Sequence, residues 1–126
     1  DCTLVTYGAA LGAALEAAGI LAEQGVSLEI LDLRSLVPLD KPRLLASVRK
    51  TGRLVVLHDA NKFGGFGGEI AAIVAEEAFD CLKSPIRRIG ALDIPVPFSP
   101  PQEKFNRPSS QIVVETVRAA LGRKEK

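Results

Sequence analysis

The 126-residue sequence has no methionine and no tryptophan, and only one histidine, one tyrosine and two cysteines. Each scarcity narrows the range of functions. Cys2 and Cys81 stand far apart and fit neither zinc-ligand nor redox-pair spacing, so they read as two reduced thiols. The lone histidine, His58, has no nucleophile or metal-ligand partner at a telling spacing, so the chain is not expected to run a reaction alone. Net charge is +1, with acids and bases mixed, and there is no basic block of the kind that binds nucleic acid or an anionic membrane surface. The tail Arg123-Lys-Glu-Lys126 is locally basic and reads as a solvated terminus. No apolar run approaches the roughly 18 residues of a spanning helix. The sequence opens at Asp1 and enters a strand-like run at once, which with the lack of methionine reads as a piece of a longer polypeptide.

What is present is the composition of a globular domain, 47% hydrophobic and 25% charged. The length fits one domain over residues 1–126. Thr3-Leu-Val-Thr-Tyr7 is a β-rich run stopped by Gly8. Over residues 9–24, Leu11, Ala14, Leu15, Ala18, Leu21 and Ala22 recur at helical spacing and predict one apolar face. A second strand follows at 28–33, then Asp40 as an N-cap, Pro42 in a first turn, and a helix burying Leu44, Leu45 and Val48 up to Gly52. Leu54-Val-Val-Leu57 is apolar on both faces, the mark of a central strand covered on both sides. The next helix sets Ile70, Ile73, Val74, Ala78 and Phe79 on one face. Ile86-Arg-Arg-Ile89 is shorter and more polar, hence nearer an edge, and a last helix runs from about 110 to 121. Regular alternation predicts a three-layer α/β/α fold with a mainly parallel open sheet. The strands are expected near 3–7, 28–33, 53–58 and 86–90, the first and third central. The intervening stretch 90–108 holds Pro95, Pro97, Pro100, Pro101 and Pro108, and is expected to be an ordered strap along the surface.

The densest motif is Phe63-Gly-Gly-Phe-Gly-Gly68, a tight joint between the central strand and the helix after it. It is not a dinucleotide fingerprint, because Ile70 stands where a third small residue belongs. No P-loop pattern exists either. The glycines instead predict a turn in close contact with neighbouring backbone, with Gly65, Gly67 and Gly68 at positive φ or under close approach. A weak anion site at the helix N-terminus is the other reading. His58 falls at the carboxyl end of a central strand, where open α/β sheets gather ligands, and reads as a structural or interface residue. Asp32, at the end of the second strand, reads as a local partner of Arg34. Phe63 and Phe66 on so small a turn, with Phe98 and Phe105 on the strap, are candidate partner-interface residues together with His58, Gly65 and Gly67. The residues themselves suggest no catalytic, cofactor-binding or metal-binding position.

The order of these pieces carries a resemblance. Leu31-Asp-Leu-Arg-Ser-Leu-Val-Pro-Leu-Asp40 is similar to the second-strand signature of transketolase C-terminal domains. Lys50-Thr-Gly-Arg-Leu-Val-Val-Leu-His58, Gly64-Gly-Phe-Gly-Gly-Glu-Ile70, Ala75-Glu-Glu-Ala-Phe79, Ser84-Pro-Ile-Arg-Arg88, Asp93-Ile-Pro-Val-Pro-Phe98 and Glu103-Lys-Phe105 narrow it. Together they resemble the C-terminal domain of the β subunit of 2-oxo acid dehydrogenase E1, of the pyruvate, branched-chain and acetoin type. The resemblance implies a parent enzyme that uses thiamine diphosphate and magnesium to decarboxylate a 2-oxo acid oxidatively and pass the acyl group to the lipoyl arm of E2. It places that cofactor between the α subunit and the preceding domain of the β subunit, so none is expected here. It implies three partners, the E1 α subunit, a second β subunit and the E2 acyltransferase. The compartment it implies is the bacterial cytoplasm or the mitochondrial matrix. It also implies an additional antiparallel strand beside residues 28–33, whose absence leaves an apolar edge. His58-Asp59 departs from the His-Glu common in the family. Two alternatives stand beside this reading: another transketolase-family enzyme, such as deoxyxylulose-phosphate synthase, or a freestanding nucleotide- or acyl-carrier-binding module.

Overall fold

In the computed structural model, residues 1–122 are described. The basic tail Arg123–Lys126 lies outside them. Four strands, β1 (Cys2–Thr6), β2 (Leu28–Asp32), β3 (Leu54–Asn61) and β4 (Arg87–Ala91), alternate with α1 (Leu11–Glu23), α2 (Lys41–Thr51) and α3 (Gly67–Glu77). A short helix α4 (Pro100–Asn106) and a final α5 (Ser110–Ala120) follow β4. The strands form one sheet in the order β2-β1-β3-β4, every pairing parallel. The first and third strands are central, as the two-sided apolar content of Leu54–Leu57 predicts.

Each face of the sheet has its own core. On one, Cys2, Leu4, Val55, Leu57 and Ile89 meet Ala14, Ala17 and Leu21 of α1 and Val113, Val114 and Val117 of α5. On the other, Val5, Leu31, Leu54 and Val56 meet Leu44, Leu45 and Val48 of α2 and Ile70 and Val74 of α3. The result is an α/β/α sandwich with residues 2 and 4 of β1 on one side and residue 5 on the other, the alternation a strand imposes.

Local signals place the helix ends. The Asp40 carboxylate accepts a hydrogen bond from the Arg43 amide at 3.1 Å. Gly52 takes a φ of +72° and returns its N–H to the Val48 carbonyl at 2.7 Å, closing α2. β2 is an edge strand, paired among the described residues with β1 alone. Its outward margin mixes half-buried Leu28 and Ile30 with charges, since Glu29 pairs with Lys50 and Asp32 with Arg34.

Several expectations need correction. The buried face of α1 is Ala14, Ala17 and Leu21, with Ala10 in the turn before it, while Leu15 is 58% exposed and Ala22 is exposed too. Alanines flank the buried stripe, so the spacing leaves its edge undefined. Phe79 does not extend the buried face of α3, because the α-helix ends at Glu77 and a 3₁₀ turn over Phe79–Cys81 swings the ring outward, 72% exposed. β3 runs on to Asn61 rather than stopping at His58, with an irregular register against β4 between Leu57 and Asn61. The stretch 90–108 is not wholly a strap, since Pro100 and Pro101 open α4, where a proline's missing N–H goes unused.

Candidate functional site

The chain leaves β1 for β2 on one side and crosses back to β3 on the other, so the carboxyl ends of β1 and β3 flank the point where strand order reverses. Open α/β sheets place ligand crevices there. Tyr7 follows β1, and His58 lies on β3. Their rings meet at a tilt of 31° with centroids 5.8 Å apart, and Phe66 meets Tyr7 edge-on at 6.2 Å. Burial and the nearby Asp59 charge push the Tyr7 phenol above its ordinary range.

His58 is fully buried. Its Nδ1 lies 3.0 Å from the Ala60 carbonyl. A carbonyl only accepts, so Nδ1 carries a proton and donates it. Nε2 has no hydrogen-bond partner among the described residues. Glycine backbone covers it instead. A Cβ on Gly67 would stand 2.6 Å from Nε2 and 3.2 Å from Val56 Cγ1, and one on Gly65 would stand 2.8 Å from His58 Cε1 and collide with the Asn61 carbonyl. No side chain fits either position. The close approach expected of these glycines therefore holds at Gly65 and Gly67. It does not hold at Gly68, where an added Cβ would meet nothing closer than the flexible Arg88 guanidinium at 3.4 Å. Positive φ occurs at none of the three; Gly64 takes it, at +68°.

The remaining candidates sit elsewhere. Phe63 is 87% exposed on the glycine loop, Phe98 is fully exposed on the strap and Phe105 is 77% exposed on α4. Phe66 is half-buried against the core beneath α2 and α3. The structure thus separates the seven sequence candidates into a packed joint (His58, Gly65, Phe66, Gly67) and an outer set of aromatic rings. The loop and the strap are sewn together. Asn61 Nδ2 donates to the Leu92 carbonyl at 3.2 Å, the Phe63 amide donates to Asp93 Oδ1 at 3.3 Å, and the Leu92 amide donates to Asn106 Oδ1 at 3.1 Å. Val96, 78% exposed, adds to the apolar surface of the strap and was not singled out from sequence. A valine between two prolines was its only signal. Tyr7 was missed as a site residue as well; its signal was to be the one tyrosine, at the end of a central strand.

Beside the joint, an open groove of about 740 Å³ runs between the β2–α2 loop and the glycine loop, floored by Leu36, Leu39, Phe66 and Ile73. Arg88 and Glu69 stand at its rim with opposite charges. Asp32 pairs with Arg34, the local role expected of it. Among the described residues no group of three or more His, Cys, Asp or Glu side chains is placed to hold a metal ion. The glycine joint offers no lysine or hydroxyl to a diphosphate, and its one buried unpaired nitrogen is shut beneath Gly65 and Gly67. The residues here do not fit thiamine diphosphate with magnesium.

A doubly covered parallel sheet with a glycine joint closing its switch point defines the class, and comparison with known proteins agrees. The family described as "Transketolase, C-terminal domain" matches residues 1–113, and the chain belongs to it. The chain is 41% identical over 116 residues to the pyruvate dehydrogenase E1 component subunit beta of Rickettsia bellii, covering 92% of this chain and 36% of that protein. It is 43% identical over 122 residues to the acetoin:2,6-dichlorophenolindophenol oxidoreductase subunit beta of Bacillus subtilis, covering 97% of this chain and 36% of that one. Among solved structures, a chain of "Split gene transketolase, inactive beta4 tetramer" superposes with a TM-score of 0.83 at 31% identity, over 99% of this chain and 40% of that chain. The chain therefore spans about a third of the length of the curated relatives it matches. No helix among the described residues is long and apolar enough to cross a membrane.

Proposed function

We propose that this chain is the non-catalytic assembly domain of a thiamine-diphosphate-dependent 2-oxo acid dehydrogenase E1 β subunit. The observation that carries this is the set of exposed apolar side chains, Phe63, Val96, Phe98 and Phe105, on a loop, a strap and α4, the loop and the strap being fixed to each other by hydrogen bonds. Exposed phenylalanines on ordered backbone are what an interface core looks like before its partner arrives. The partners are the E1 α subunit and a second β subunit, with E2 docking on the assembled surface. The buried His58 and Gly67, with half-buried Gly65 and Phe66, act from beneath, holding the loop that presents Phe63. The parent reaction is oxidative decarboxylation of a 2-oxo acid with acyl transfer to lipoyl-E2. Thiamine diphosphate and magnesium belong to other parts of that enzyme.

The competing reading is a freestanding module that binds a nucleotide or an acyl carrier. Calorimetric titration with adenine nucleotides, coenzyme A, and thiamine diphosphate plus magnesium separates the two. The assembly reading expects no binding heat from any of them. Micromolar binding of one, or carbon dioxide released from a 2-oxo acid by this chain alone, contradicts it.

A further inference from the structure

The groove beside the glycine joint combines an apolar floor with two opposite charges. The floor comes from Leu36 and Leu39 of the β2–α2 loop, Phe66 of the joint and Ile73 of α3. The rim carries one cation, Arg88, and one anion, Glu69. Neither belongs to an ion pair among the described residues. Lys41, whose charge also reaches Glu69, is itself paired with Glu77.

Arg88 is held in place. It projects from the edge strand β4, and its Nη1 donates to the Lys62 carbonyl at 3.2 Å. The guanidinium lies over Gly68, where even a methyl group would sit 3.4 Å from Nη1. Its other N–H groups make no hydrogen bond among the described residues, and their planar fork suits a carboxylate. Glu69 is exposed in the first turn of α3. An apolar floor between a cation and an anion selects a ligand with both charges and an apolar body. A nucleotide brings several negative charges to a single cation. A fatty acid or a plain amine answers only one side of the rim. A zwitterion with a large apolar side chain answers both sides and the floor.

We infer that this groove binds a free α-amino acid with a large apolar side chain. Its carboxylate meets Arg88, its ammonium group meets Glu69, and its side chain lies on Leu36, Leu39, Phe66 and Ile73. The groove is open, so the affinity is millimolar. The bound ligand touches the β2–α2 loop and the glycine loop together and ties one to the other. The inference does not rest on the assembly reading, since Phe63, Phe98 and Phe105 take no part in the site.

The test is the amide NMR shifts of the labelled full-length protein during titration with three probes. They are L-leucine, 4-methylpentanoate, which lacks the ammonium group, and 3-methylbutylamine, which lacks the carboxylate. Leucine is expected to shift the amides of Leu36, Leu39 and residues 64–69 saturably and to leave residues 14–21 of α1 unmoved. Each of the other probes is expected to bind about fivefold more weakly, the most that one exposed ion pair supplies. Glu69→Gln is expected to erase the preference for leucine over 4-methylpentanoate. Arg88→Gln, which keeps a donor for the Lys62 carbonyl, is expected to erase the preference over 3-methylbutylamine. Circular dichroism checks both folds, and the exposed Glu69 decides the question by itself where the Arg88 variant does not fold. No saturable shift at the groove, equal affinity for the three probes, or preferences unchanged in the variants overturns the site.

Discussion

At the scale of single residues, the glycine joint is a problem of volume. Gly67 is invisible to any argument from φ, since its backbone is ordinary; what forbids a side chain is the imidazole edge 2.6 Å from where Cβ would be. Gly67→Ala is therefore expected to destabilise the fold by about 1–3 kcal/mol, the usual cost of overpacking. His58→Ala in the same chain makes room, so the two substitutions together should cost less than their sum. Denaturant unfolding of the four variants of this cycle measures the coupling, and strict additivity would contradict the contact. Sequence reading anticipated close approach at these glycines but could not identify His58 as the neighbour, because the pairing spans a loop that strand and helix periodicity do not describe. Cys2 shows burial acting on chemistry. Desolvation pushes its thiol up from 9.0 to about 11, against the opposing pull of the N-terminal ammonium and Arg53. The unfolded chain ionises this thiol first, so the stability Cys2 contributes is intact below pH 9.0 and is lost as pH rises towards about 11. The loss is on the order of 3 kcal/mol. Cys2→Ala should flatten that alkaline limb of the stability profile, whatever it does to the neutral plateau.

Secondary-structure elements were the most legible scale, and the misses have physical reasons. The strand order follows from one apolar run with no polar face, Leu54–Leu57. The end of α2 follows from Gly52 and its beginning from Asp40, whose carboxylate holds the Arg43 amide. Asp40→Ala is expected to cost about 1 kcal/mol, and Asp40→Asn to recover most of it, as read by thermal or urea unfolding. A loss of less than a few tenths would mean that the cap is idle. In α1 the spacing places Ala14 and Leu21 in the core and fails at Leu15 and Ala22, because alanines flank the buried stripe and leave its edge undefined. α4 is hidden in sequence because five prolines in 90–108 suit an extended strap, while Pro100 and Pro101 occupy the one turn of a helix that tolerates them. Phe79 was placed in the core because α3 was extended past Glu77, where the helix gives way to a 3₁₀ turn.

For the whole molecule, the separation of two aromatic environments organises the account. Tyr7, His58 and Phe66 pack inward at the strand-order reversal, the place where related sheets open a crevice, and here glycine backbone shuts it. Phe63, Phe98 and Phe105 face outward on backbone stitched to the same joint. Sequence alone could rank all of these as candidates for an interface; only the fold sorts the rings that hold the loop from the rings left uncovered. The central claim is that the uncovered set is a subunit interface. Its most direct test is sedimentation velocity of the full-length protein mixed with the α-type subunit proposed as its partner, comparing the natural sequence with Phe63→Glu combined with Phe98→Glu. Both positions are exposed, so the doubly substituted chain is expected to keep its fold by circular dichroism and to sediment as unassembled subunit while the natural sequence forms the larger complex. Complexes of equal mass and equal affinity from both proteins would contradict the claim.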